Sequence, residues 1–156
     1  IVQDSTNGDS TKKNVFKGNE FACNHNATIQ NVEIYLDPSW DAGGDTSVIF
    51  GIFEKQGDNS WMKIFEKGIS FSNFRVSAKY FSTGEIAVEF VNGKNYAIGA
   101  YFNRDCKYYY RNSVGQDVNF GSQVVMISKE GLNGLPTSLD NIDGYTIKMA
   151  ITSQLK

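Results

Sequence analysis

From Thr28 to Leu36 the side chains alternate, with Val32, Ile34 and Leu36 on one face and Asn31, Glu33 and Tyr35 on the other. A period of two is the signature of a half-buried β-strand. The same period returns in Ile86, Val88 and Phe90, in Tyr96, Ile98, Ala100 and Phe102, and in Tyr145, Ile147, Met149 and Ile151. No segment carries the 3.6-residue period of a long amphipathic helix. The chain is therefore confined to all-β architectures.

Further strands are expected at Val15-Phe16, Glu20–Cys23, Val48–Phe53, Trp61–Phe65, Ile69–Phe71, Lys79–Phe81, Cys106–Tyr110 and Val124–Ile127. Val48–Phe53 is apolar on both faces, as in a central strand. Asn92-Gly93 has the residue pair of a two-residue hairpin turn. Residues 128–142 read as a long loop. The sum is about ten strands at the spacing of a sandwich. The expected fold is one antiparallel β-sandwich over residues 14–156, preceded by a polar arm over residues 1–13. The 11 Phe, 8 Tyr and 15 Gly against 2 Pro agree with it, because aromatics fit pleated surfaces and Gly supplies turns. Alternation also names a core: Val32, Ile34, Leu36, Phe50, Ile52, Val88, Phe90, Ile98, Ala100, Ile147 and Met149.

Composition narrows function by exclusion. The net charge is −2 and no basic stripe is present, so a nucleic-acid partner is not expected. No apolar run approaches the roughly 18 residues of a membrane helix, so no insertion is expected. Ile1–Asp4 lacks the charged start and apolar stretch of a signal peptide and reads as a processed end. With one histidine, His25, and no nucleophile elbow, phosphate loop or dinucleotide fingerprint, an enzyme is not expected.

Four features remain as candidate sites. Cys23 and Cys106 both fall on strands and are expected to form a disulfide if the protein is secreted; two buried thiols are the alternative. The loop Asp37-Pro-Ser-Trp-Asp-Ala-Gly-Gly-Asp45 offers Asp37, Asp41 and Asp45 at spacing four, hard oxygen donors of the kind that hold Ca2+, although plain turns use the same residues. Trp40, Trp61 and Tyr109 are the aromatics best placed to stack on sugar rings or anchor a partner. Tyr108, Tyr109 and Tyr110 are consecutive, so on a strand at least one faces outward. Asn26-Ala27-Thr28 is an N-glycosylation sequon, which places Asn26 at a surface turn.

Gly18-Asn19-Glu20-Phe21, Ala27–Leu36 and Gly93-Lys94-Asn95-Tyr96-Ala97-Ile98-Gly99-Ala100-Tyr101 together resemble the jelly-roll accessory modules of secreted bacterial proteins. The resemblance spans roughly residues 14–110 and implies a β-sandwich with an attachment or recognition role outside the cell. It carries no catalytic residues. Two functions follow as expectations. One is a structural subunit of an extracellular filament or surface layer that self-associates through the arm or through sheet edges. The other is a glycan- or cell-surface-binding adhesion module.

Overall fold

The computed structural model describes residues 8–39, 43–73 and 76–156. Among these residues fourteen strands follow one another: β1 (Gly8–Lys12), β2 (Val15–Cys23), β3 (Ala27–Asp37), β4 (Asp45–Gly57), β5 (Ser60–Ser72), β6 (Lys79–Ser82), β7 (Val88–Phe90), β8 (Asn95–Phe102), β9 (Cys106–Arg111), β10 (Asp117–Val118), β11 (Gly121–Lys129), β12 (Asp140–Ile142), β13 (Thr146–Ile147) and β14 (Met149–Leu155). They form two antiparallel sheets of seven strands that pack face to face as a sandwich. The first sheet runs β1-β9-β3-β14, with β6 and β7 also on β3 and β13 on β9. The second runs β10-β11-β2-β8-β4-β5, with β12 on β11.

The alternation in the sequence sets the faces. Val32, Ile34 and Leu36 of β3, Phe50 and Ile52 of β4, Ile98 and Ala100 of β8, and Ile147 and Met149 all lie in the inter-sheet core. Phe90 joins them, and Val88 packs at the core's margin. A bulge in β3 keeps both Ile29 and Val32 inward, with the register against β14 slipping between Thr152 and Ser153. The second sheet is apolar on its outer face too. Phe16, Phe53, Ala97, Tyr101, Val125 and Ile127 form a second cluster there, covered by Leu132, Leu135 and Leu139 of the loop 130–139. This is why β4 reads as apolar on both faces.

A trough of glycines lets that cover sit close. Gly18 pairs with Gly99, and Gly99 with Gly51, on neighbouring strands. A Cβ on Gly18 would fall 2.7 Å from the Gly99 Cα and against the Ile98 carbonyl oxygen; one on Gly51 would meet Leu135 Cδ2 at 2.9 Å. Since the obstacle at Gly18 is backbone, Gly18→Ala should lower stability by roughly 1–3 kcal/mol, the cost of overpacking. Urea denaturation measures it, and an unchanged midpoint would contradict this packing.

Two expectations need correction. Asn92-Gly93 does make a turn, with Gly93 at φ +89° and the Lys94 N–H donating to the Val91 carbonyl. It is not a hairpin: β7 pairs with β3 in one sheet and β8 with β2 and β4 in the other. Turn chemistry encodes a reversal, not whether the two arms stay in one sheet. Secondly, no disulfide links Cys23 and Cys106, and both are buried thiols. Cys23 ends β2, and its eight steps from Val15 span roughly 26 Å. Cys106 pairs with Lys12, three residues before Val15 and so near the other end of the sandwich. A disulfide needs Cα atoms within about 7 Å. Burial pushes the Cys23 thiol up to about 12. Alkylation should therefore label no thiol in the native protein and both in denaturant without reductant; an unreactive denatured chain would restore the disulfide.

The described part of the arm runs as a strand of the first sheet. Gly8–Lys12 is not separate from the sandwich but pairs along β9, from Gly8 opposite Tyr110 to Lys12 opposite Cys106. The order of this segment is accounted for within its own chain. The seven residues before Gly8 lie outside the described ones.

Candidate functional site

The sites expected from sequence do not converge. Trp40 and Asp41 lie outside the described residues. Asp37 Oδ1 accepts the Ser39 N–H at 3.0 Å, closing a local turn, and Asp45 opens β4 opposite Ser72. The Arg104 guanidinium lies over Gly44, where a Cβ would meet its Nε at 2.7 Å, so a cation already stands beside this loop. Among the described residues no group of three acidic, His or Cys side chains is gathered around a metal position. Asn26 sits at the exposed turn between β2 and β3, where its Oδ1 accepts the Asn92 N–H at 2.8 Å.

Trp61 is half-buried on β5 with Phe53, Lys63, Leu135, Pro136 and Thr137 around a depression of about 210 Å3. The Lys55 ammonium lies 5.5 Å from its ring centroid. Tyr109 faces outward from the first sheet, in edge contact with Tyr35 at 5.2 Å; Tyr35 touches Tyr80 in the same way at 5.0 Å. Lys148 Nζ stands 4.1 Å from the Tyr35 ring centroid. These tyrosines pack on one another and on a lysine of their own chain. They form a cross-strand cluster on the outer face of the first sheet.

The other two tyrosines of the run point the opposite way. Tyr108 and Tyr110 face inward from β9, and with Ser10 of β1 and Tyr145 they form one wall of a cleft between the sheets. Lys17 of β2, Met126 of β11 and Ile142 of β12 complete it, around a volume of about 260 Å3. Tyr110 meets Tyr145 edge-on at 5.4 Å. A second lobe of about 350 Å3 shares Lys17 and Ile142 and adds Ser128, Lys129, Glu130 and Asp140. Together the lobes reach the size of small-ligand sites, about 300–1,000 Å3.

Lys17 is the unusual residue. It points into the sandwich and is 5% exposed. Its ammonium donates to Ser128 Oγ at 2.7 Å and lies 4.9 Å from the Tyr108 ring centroid. Burial lowers its pKa from the ordinary 10.5, with Glu130 opposing the fall and Lys12 adding to it. Between the lowered value and 10.5 the unfolded chain holds more protons than the fold, so stability rises with pH across that window. The penalty is in full force below the folded pKa and gone above the unfolded one. Lys17→Met should therefore raise the denaturation midpoint at pH 7, by a margin that shrinks as the pH climbs toward 10. A margin independent of pH would show that Lys17 titrates alike in the folded and unfolded chain and would contradict the burial penalty.

Beside Lys17, Asn19 fixes the cleft's geometry. Its Nδ2 donates to the Ile147 carbonyl at 3.1 Å and its Oδ1 accepts the Ile147 N–H at 3.0 Å, so a side chain of one sheet pairs with backbone of the other. Gln123 Nε2 reaches the Tyr145 carbonyl at 3.0 Å and Asn19 Oδ1 at 3.5 Å. These bonds anchor the segment that carries Tyr145. None of these polar residues is singled out by motif; the available signal is Lys17-Gly18-Asn19 interrupting an otherwise β-like segment, together with the shared parity of Tyr108 and Tyr110. No protein-family model matches this chain, and no curated protein is significantly similar to it.

Proposed function

We propose that this chain is a non-catalytic, extracellular recognition domain that binds a small glycan in the cleft between its sheets. The observation that carries the reading is a solvent-open cleft walled by Tyr108, Tyr110 and Tyr145, with hydroxyls and one amine at its floor. Aromatic rings supply the apolar faces on which sugar rings stack, and a few polar groups fix orientation. The extracellular setting rests on the likeness to accessory modules and on the exposed sequon at Asn26; without a disulfide, cysteine usage adds nothing to it. A glycan array tests the reading. The wild-type domain should bind members of the array, and Tyr145→Ala should weaken those hits about tenfold or more, a loss near 1.4 kcal/mol. An array without hits, or hits that Tyr145→Ala leaves intact, would overturn it.

A structural subunit is the second reading, favoured by β5. Its thirteen residues form the last strand of the second sheet and leave a long edge open among the described residues. Such an edge is a template for a neighbour, but Lys63, Glu66 and Lys67 along it are the charges that discourage pairing. Sedimentation separates the two readings. Recognition expects a monomer at high concentration, whereas a polymer that further charges on the β5 edge abolish would favour assembly.

A further inference from the structure

We infer that the cleft takes an anionic ligand, a carboxylate borne on a ring, with Lys17 as its counter-ion. The inference rests on the reading of the cleft as the ligand site and adds the chemical class. Proteins pair the charges they bury. An ammonium has three donors, and that of Lys17 makes one hydrogen bond, to a neutral hydroxyl. No carboxylate of the described residues lies within ion-pairing distance of it. The two acids that line the outer lobe make their contacts with other lysines, Glu130 with Lys12 at 3.2 Å and Asp140 with Lys129 at 3.6 Å, and Glu130 acts on Lys17 only from a distance. The charge is thus held at the floor of a cleft, where its remaining donors meet whatever enters.

The surroundings choose among anions. A single lysine is a point charge; among the described residues no arginine lines either lobe to meet a multiply charged phosphate, and Lys129 of the outer lobe is paired with Asp140. Tyr110 and Tyr145, partly buried and in edge contact with planes at 84°, line the cleft with Lys17 and give an apolar wall to a flat or chair-shaped body. A volume of about 260 Å3 beside them suits one ring rather than an extended chain. A ring carboxylate fits both parts, whether it comes from a uronic acid or from an aromatic acid.

The test is an NMR titration of the full chain at pH 7, following the Lys17 amine and the Tyr110 and Tyr145 rings. The probes are glucuronate with glucose as its neutral partner, and benzoate with benzyl alcohol as its neutral partner. At least one acid should bind tenfold or more tightly than its neutral partner while moving all three sets of signals. Preference for glucuronate assigns the sugar acid, and preference for benzoate the aromatic one. Lys17→Met should abolish the preference. Equal binding of acid and neutral partner, or a preference that survives in Lys17→Met, overturns the inference and leaves the cleft reading standing. Silence of Tyr110 and Tyr145 towards all four probes overturns both. The wild-type comparison needs no variant to fold.

Discussion

Asn19→Leu is expected to lower the unfolding free energy by roughly 2–5 kcal/mol, because each buried backbone group left without a partner costs about 1–3 kcal/mol. Asn19 is 1% exposed and serves both the N–H and the carbonyl of Ile147. Those groups lie where β13 leaves the sheet ladder, so no strand stands ready to replace the side chain. Leucine has a similar volume and no polar atom, so the substitution isolates the hydrogen bonds from cavity formation. Gln123 keeps its bond to the Tyr145 carbonyl, which bounds the damage. The adjoining cavity, lined by Asn19, Gln123 and Ile147, is about 20 Å3, room for one water at most. A loss below about 1 kcal/mol in urea denaturation would mean that water has taken over both groups. Because the same strut positions Tyr145, ligand binding should weaken along with stability.

Phe90→Ala should cost roughly 3–5 kcal/mol, the range for truncating a core aromatic. Phe90 is 1% exposed and stacks on Tyr96 with ring centroids 3.8 Å apart and planes within 4°. Phe120 meets it edge-on at 5.4 Å. The residue sits where the chain crosses from the first sheet to the second, and Tyr96 is tied to the same corner by the Val91 N–H at 2.9 Å from its hydroxyl. Collapse around the missing ring is opposed by both sheets, so the cavity term adds to the lost transfer energy. Chemical denaturation at constant m-value reads the change, and a loss below about 1 kcal/mol would show that Phe90 does not bridge the sheets.

Strand faces were legible in the sequence because inward residues are apolar and recur every second position, as in β3 and in Tyr96–Phe102. Strand length was less so. Val15-Phe16 and Glu20–Cys23 look like two short strands but are one, since β2 runs through Lys17, Gly18 and Asn19. These residue types are depleted in strands, and their tolerance here comes from tertiary partners: Ser128 for Lys17, Gly99 for Gly18 and Ile147 for Asn19. In the same way Glu66-Lys67-Gly68 splits β5 in the sequence but not in the fold. The cleft was hidden for this reason, because it is built from residues whose roles depend on the opposite sheet. The tyrosine run was noticed, yet Tyr109, the one expected to bind, is packed by Tyr35, while Tyr108 and Tyr110 turn toward the cleft. Alternation separates the two sets; it does not say which face has an opening.

The location of a bound ligand tests this view of the molecule most directly. Chemical-shift mapping of the domain with its best glycan-array ligand should perturb Lys17, Tyr108, Tyr110, Tyr145 and Ser128 together. The Tyr35, Tyr80 and Tyr109 cluster on the outer face should remain unmoved. Perturbations confined to that outer cluster, or to the free edge of β5, would contradict a recognition site between the sheets.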